Sequence, residues 1–147
     1  LYKMNKPTAK QYMTTDLITL EKDMNVYYAI GILLNNNISG APVIDKNKKL
    51  IGILSEKDCL EVFAESAQTD IALPGAISLG RGTVEQFMTK SISTIKADDD
   101  LYSVVDIFLK NNFRRLPVLQ DEKLVGQISR RDILKAIKDI TNNNDDY

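Results

Sequence analysis

Gly52-Ile53-Leu54-Ser55-Glu56-Lys57-Asp58 returns as Gly126-Gln127-Ile128-Ser129-Arg130-Arg131-Asp132. In both runs an apolar stretch ends at a serine, and an aspartate follows three positions later. Serine is a good N-cap residue, and a carboxylate in a first helical turn suits the helix dipole. Each run is therefore predicted to be the passage from a strand into a helix. The repetition also extends outward on both sides. Pro42-Val43 matches Pro117-Val118, Asn36-Asn37 matches Asn111-Asn112, Tyr27 matches Tyr102, Asp23 matches Asp98, and Met13-Thr14 matches Met88-Thr89. The period of roughly 75 residues marks an internal duplication. One extra residue sits in the Asp45-to-Lys49 turn of the first copy.

The predicted elements also come twice. Leu17-Ile18-Thr19-Leu20 reads as a short strand, and Asp23 is the expected start of a helix. Val26, Ala29, Ile30 and Leu33 follow at the spacing of one buried helical face, as do Leu101, Val104, Val105 and Phe108 after Asp98. Asn35 to Asn37 and Asn111-Asn112 are expected helix stops, because asparagine tolerates the left-handed conformation. Ala41-Pro42-Val43-Ile44 and Leu116-Pro117-Val118-Leu119 read as strands with proline near the start, where a missing N–H costs least. Polar turns lead into return strands at Leu50 to Leu54 and Leu124 to Ile128, and helices resume near Lys57 and Arg131.

The fold class is α/β, each copy reading strand, helix, strand, strand, helix. The expected organisation is an N-terminal segment 1–11, a first repeat 12–63, a linker 64–86, a second repeat 87–140 and a polar tail 141–147 that frays. The linker contains Leu73-Pro74-Gly75 and Gly80-Arg81-Gly82, so it is expected to hold at most a short helix. Each copy alone is near the size at which one core becomes marginal, so the two are expected to fold as one unit.

Composition excludes several functions. Lys+Arg 19 against Asp+Glu 20 suggests no nucleic-acid surface. Histidine is absent, which removes the commonest general base and metal ligand. The one cysteine, Cys59, makes neither an internal disulfide nor a zinc site, and reads as a small apolar group. No apolar run approaches the roughly 20 residues of a membrane helix, and no signal-peptide pattern is visible. A cytoplasmic protein is expected. The chain begins at Leu1, which fits a whole protein or a piece of a longer one. No enzyme is expected, since no nucleophile with a base, metal cluster or Walker-type loop is present.

This ordered, doubled set of motifs resembles the CBS domain, the module named after cystathionine β-synthase, as a tandem pair. The resemblance implies two repeats packed through their sheets about a pseudo-twofold axis, forming clefts that hold adenine nucleotides or other adenosyl compounds. It implies a regulatory sensor that requires no cofactor. AMP, ADP or ATP is the expected ligand class, with S-adenosylmethionine or a cyclic dinucleotide as further candidates. It also implies a homodimer of pairs. A ligand-free association module is the alternative.

The resemblance assigns Asp58 and Asp132 to ribose hydroxyls, with Ser55 and Ser129 near ribose or phosphate. The competing reading is helix capping, and both can hold. It places Arg114 and Arg115 toward the ligand's phosphates, with Arg131 and Lys57 at the helix starts, where an anion is also favoured. Solvated surface charge is the alternative. The first copy has Ser39-Gly40 where the second has Arg114-Arg115, so the two sites are expected to bind unequally, either with a single phosphate site or with the arginine pair serving both clefts from the interface. Thr14, Ile18 and Thr19, with Thr89, Ser93 and Thr94, are expected along the first strand of each copy, against an adenine edge. Ala41 and Leu116 are expected on the adenine face; ordinary strand packing is the other reading. Tyr27 and Tyr102 are read as an oligomer contact or as core-edge packing.

Overall fold

The structure, a computed structural model, describes residues 6–69 and 81–143. In chain order its elements are α1 (Ala9–Tyr12), β1 (Leu20–Glu21), α2 (Val26–Asn35), β2 (Gly40–Ile44), β3 (Leu50–Ser55), α3 (Glu56–Thr69), α4 (Val84–Phe87), β4 (Ile95–Lys96), α5 (Leu101–Lys110), β5 (Arg115–Gln120), β6 (Lys123–Ser129) and α6 (Arg130–Asn143). They form two units, one of Ile18–Ile92 and one of Leu1–Leu17 with Ser93–Tyr147. Each unit has one three-stranded sheet, ordered β1-β2-β3 or β4-β5-β6, parallel on one side of the central strand and antiparallel on the other.

The unit boundaries show an exchange. The segment leading into each repeat belongs to the sheet of the other. Thr14 bridges Gln127 on β6, its N–H donating to the Gln127 carbonyl at 2.8 Å and its carbonyl accepting from Gln127 at 2.9 Å. Thr89 bridges Ile53 on β3 in the same way, at 2.8 Å and 2.9 Å. Short helices α1 and α4 precede these bridges. Each starts at a threonine, Thr8 or Thr83, whose N–H donates to the side chain of Gln11 or Gln86 at 2.9 Å. This Thr-x-x-Gln pattern is a helix-start signal carried by the sequence at both places.

The bridges account for prolines in central strands. Ile53 stands opposite Pro42, but its backbone N–H and carbonyl both turn outward to Thr89. Pro42 therefore loses nothing toward β3. Its missing N–H falls on the side of β1, which pairs only from Leu20 opposite Val43 onward. Pro117 opposite Gln127 repeats the arrangement. The expected strand at Leu17 to Leu20 is accordingly reduced to Leu20–Glu21, because no donor is available to extend it upstream.

The helix starts also differ from expectation. Asn25, not Asp23, caps α2, accepting from the N–H groups of Tyr27 at 2.9 Å and Tyr28 at 3.2 Å. Asp100, not Asp98, caps α5 through the N–H of Ser103 at 3.0 Å. In both cases the cap directly precedes the first buried residue, Val26 or Leu101, so core burial sets the helix start. The asparagine stops hold in part: Asn37 has a φ of 52°, and the amides of Asn36 and Asn111 donate back to the carbonyls of Ile32 and Ile107. Helix α3 continues through Thr69, beyond the expected end of the repeat, since 64–69 contains neither glycine nor proline. Helix α6 likewise runs to Asn143. Leu73-Pro74-Gly75, Gly80 and residues 144–147 lie outside the described residues.

One core lies in each unit. Leu20, Val26, Leu33, Val43, Leu54 and Val84 lead the first, and Ile95, Leu101, Val104, Leu116, Val118 and Ile128 the second. The helical stripes predicted from spacing supply these cores, with Ile30 and Val105 only half-buried.

Candidate functional site

Both Ser-x-x-Asp runs form reciprocal caps at the end of a return strand. In the first unit, Ser55 donates its N–H and its hydroxyl to Asp58 Oδ2, each at 2.9 Å, and the Asp58 N–H donates to Ser55 Oγ at 3.2 Å. In the second, Ser129 donates to Asp132 Oδ2 at 2.9 Å and 3.0 Å, and receives the Asp132 N–H at 3.1 Å. The capping reading is therefore realised in both copies. It leaves Oδ1 of each carboxylate for other work.

Those second oxygens differ. Thr89 Oγ donates to Asp58 at 3.1 Å to Oδ1 and 3.3 Å to Oδ2. Asp132 is the more deeply placed carboxylate, only 7% exposed. Among the described residues no hydrogen bond reaches its Oδ1. The Ser129 cap occupies one oxygen of this carboxylate, and the other suits donors from outside the chain.

The bridges bring the Met-Thr motifs to these caps. Met13 and Met88 lie over the glycines that open the runs. A Cβ placed on Gly126 would come 2.6 Å from Met13 Sδ and 2.9 Å from the Thr14 carbonyl, and one on Gly52 would collide with the Met88 side chain. Met-Thr and Gly-x-x-Ser-x-x-Asp are thus one structural device, contributed by opposite repeats. Sequence reasoning placed Thr14 and Thr89 on the first strands of their own copies; the structure places them on the other sheet's outer edge.

Four arginines gather at the cap of the second unit. Arg115 is in register with Ser129, the Arg130 N–H donates to the Arg114 carbonyl at 3.3 Å, and Arg131 is exposed in the first turn of α6. Arg130 is tied back, its Nε donating to the Phe113 carbonyl at 3.0 Å. In the first unit the same places hold Gly40 opposite Ser55, Ser39 accepting from the Glu56 N–H at 3.0 Å, and exposed Lys57. The second cap carries the greater positive charge, and the first opens on an acid, Glu56.

Other expected residues are not brought to the caps. Ala41 and Leu116 are each 1% exposed and belong to the two cores, so strand packing describes them and their side chains offer no surface to a ligand. Ile18 is half-buried, and Ser93 is exposed outside any strand. Thr19 and Thr94 line two related grooves at the far ends of the sheets. One, of about 700 Å³, runs past Lys96, Asp98 and Asp121. The other, of about 620 Å³, runs past Lys22, Asp23 and Asp45. The charges along both grooves are mixed, and Asp132 lines neither.

Cys59 is half-buried against the first core, and burial, then the charges of Asp58 and Glu56, push its thiol upward. That supports the packing reading. Tyr27 is half-buried beside the same core, whereas Tyr102 is exposed. Among the described residues no group of acidic or thiol side chains could hold a metal ion, and no helix is long and apolar enough to cross a membrane.

The CBS domain model matches residues 9–65 and 84–139. The chain is 28% identical over 131 residues to an uncharacterized 17.7 kDa protein of Acidianus ambivalens, covering 88% of this chain and 73% of that one. Its curated relatives vary in length: it spans 85% of one and 15% of another. Among solved structures, CBSX2 in complex with AMP is 29% identical with a TM-score of 0.76, over 92% of this chain and 98% of that one. The CBS domain pair of protein MJ0100, in complex with 5'-methylthioadenosine and S-adenosyl-L-methionine, shares the fold at 23% identity and a TM-score of 0.69, over 92% and 99% of the two chains.

Proposed function

The chain belongs to the CBS domain family, and from that premise we propose that it is a regulatory module that binds an adenosyl compound at its Ser-x-x-Asp caps. The observation that carries this reading is Asp132, a buried carboxylate held by Ser129 through one oxygen while the other accepts no hydrogen bond among the described residues. A ribose diol offers two hydroxyl donors to such a group. Arg114 and Arg131, exposed at the same end of the unit, suit a phosphate tail. The AMP complex of CBSX2 supports the same ligand class. Asp58, Ser55 and Lys57 form a second, less basic site. Binding shifts a regulated partner only as far as the ligand favours one arrangement over another. The module is regulatory rather than catalytic in this reading, and cytoplasmic.

A thermal-shift screen of AMP, ADP, ATP, S-adenosylmethionine and cyclic dinucleotides tests it. A ligand that binds only the folded state adds about 2.7 kcal/mol at 100 times its dissociation constant. Flat melting curves with every compound would remove the proposal.

A second reading, association with a second copy, is favoured by repeated apolar exposure. Leu60 and Phe63 on α3, and Leu134 and Ile137 on α6, are exposed at matching positions of the two repeats. Duplicated exposure of large apolar side chains is the kind of surface that marks an interface. Sedimentation of the wild type against a Leu134→Lys, Ile137→Lys variant decides it: a dimer that becomes a monomer supports this reading, and unchanged mass rejects it.

A further inference from the structure

We propose that Thr89 latches the Asp58 carboxylate, so that the chain has one ready adenosyl site, at Asp132, and one whose affinity Thr89 sets. The inference rests on the adenosyl-binding reading above and adds to it a residue that makes the two sites unequal.

Thr14 and Thr89 are equivalent in backbone. Each forms a two-way antiparallel bridge, with hydrogen bonds of 2.8 Å and 2.9 Å. Both side chains are exposed. The hydroxyls behave differently. That of Thr89 spans both oxygens of Asp58, whereas none of the described hydrogen bonds joins Thr14 to Asp132. Asp58 thus accepts from the Ser55 N–H, the Ser55 hydroxyl and the Thr89 hydroxyl; among the described residues Asp132 accepts from the two serine donors.

A sugar diol brings two donors to a carboxylate with about four acceptor positions; with three donors already on Asp58, one hydroxyl must displace Thr89, while the two on Asp132 leave room for both. Hydrogen bonds to ionised groups are the stronger class, so the difference is worth a factor of about ten or more in affinity. The arginines point the same way independently. The start of α6 carries Arg130 and Arg131 where α3 carries Glu56 and Lys57, so an anionic ligand meets a more favourable field at Asp132.

Calorimetric titration with AMP tests the latch in the full chain. The wild type is expected to show one tight site, with the second weaker by at least about tenfold. Asp132→Asn is expected to remove the tight phase. Thr89→Val is expected to tighten the weak site about tenfold, Thr89→Ser to restore the wild-type isotherm, and Thr14→Val to leave the weak site unchanged. Thr89 is exposed and its bridge is made by backbone atoms, so the valine variant keeps its fold; a matching urea midpoint checks this. Two equal sites in the wild type, or a Thr89→Val isotherm that overlays the wild type, overturns the latch and leaves adenosyl binding standing. Absence of AMP binding by the wild type and every variant overturns both the latch and AMP as the ligand, whereas binding by Thr89→Val alone supports the latch.

Discussion

Thr89 Oγ donates to Asp58 across a sequence separation of 31 residues, at 3.1 Å and 3.3 Å. The contact exists because Thr89 is bonded to the outer edge of β3, both giving and accepting a backbone hydrogen bond with Ile53. Cap, strand edge and bridging segment therefore form one small assembly in each unit, and changes to any part are expected to be felt by the others.

Removal of either capping serine is expected to destabilise the protein by about 1 kcal/mol. Ser129→Ala leaves the Asp132 N–H without its acceptor at 3.1 Å and the carboxylate without a hydroxyl donor at 3.0 Å. Urea midpoints for Ser55→Ala and Ser129→Ala check this, and unchanged midpoints would show that the caps are ornamental.

The two opening glycines are expected to respond differently to an added methyl group. The nearest atoms that Gly52→Ala meets belong to the flexible Met88 side chain, whereas Gly126→Ala meets the Thr14 backbone carbonyl at 2.9 Å as well as Met13. Each is expected to cost about 1–3 kcal/mol alone. In a Met88→Ala background the cost of Gly52→Ala is expected to shrink well below that, while Gly126→Ala keeps most of its cost beside Met13→Ala. Double-mutant cycles from denaturant unfolding separate the two cases.

Arg114→Ala and Arg131→Ala are expected to weaken AMP more than adenosine. Each phosphate contact from an arginine is worth about 1.5–3 kcal/mol when charge-assisted, so the preference for AMP over adenosine is expected to fall tenfold or more. Equal losses for both ligands would place these arginines away from the phosphate.

Asp100 gives the acid limb of stability a local cause. The Ser103 N–H, then the Ser103 hydroxyl, hold its carboxyl below the ordinary carboxylate range. A lowered folded-state pKa stabilises above the unfolded value, and that contribution is lost as pH falls through the folded one. Asp100→Asn keeps a good cap and removes the titration. Its stability is expected to decline less steeply than that of the wild type below about pH 4, as read from urea unfolding across pH.

Much of this molecule was legible one residue at a time. The repeat period, the helical stripes from Val26 and Leu101, the hairpins and the serine caps all depend on local spacing, and local spacing is what a chain displays. The asparagine cap at Asn25 was also present in the sequence. Asp23 is an equally good cap residue, and the burial of Val26 decides between the two.

Sequence alone determined the duplication, the order of elements and the chemistry placed at the end of each return strand, because periodicity, capping and charge are properties of neighbouring residues. Tertiary structure decided which repeat's Met-Thr segment serves which cap, that Ala41 and Leu116 turn inward, and that Thr89 engages its carboxylate while Thr14 does not. Those outcomes depend on how segments far apart in the chain exchange backbone hydrogen bonds at a sheet edge, and every candidate edge offers the same N–H and carbonyl groups.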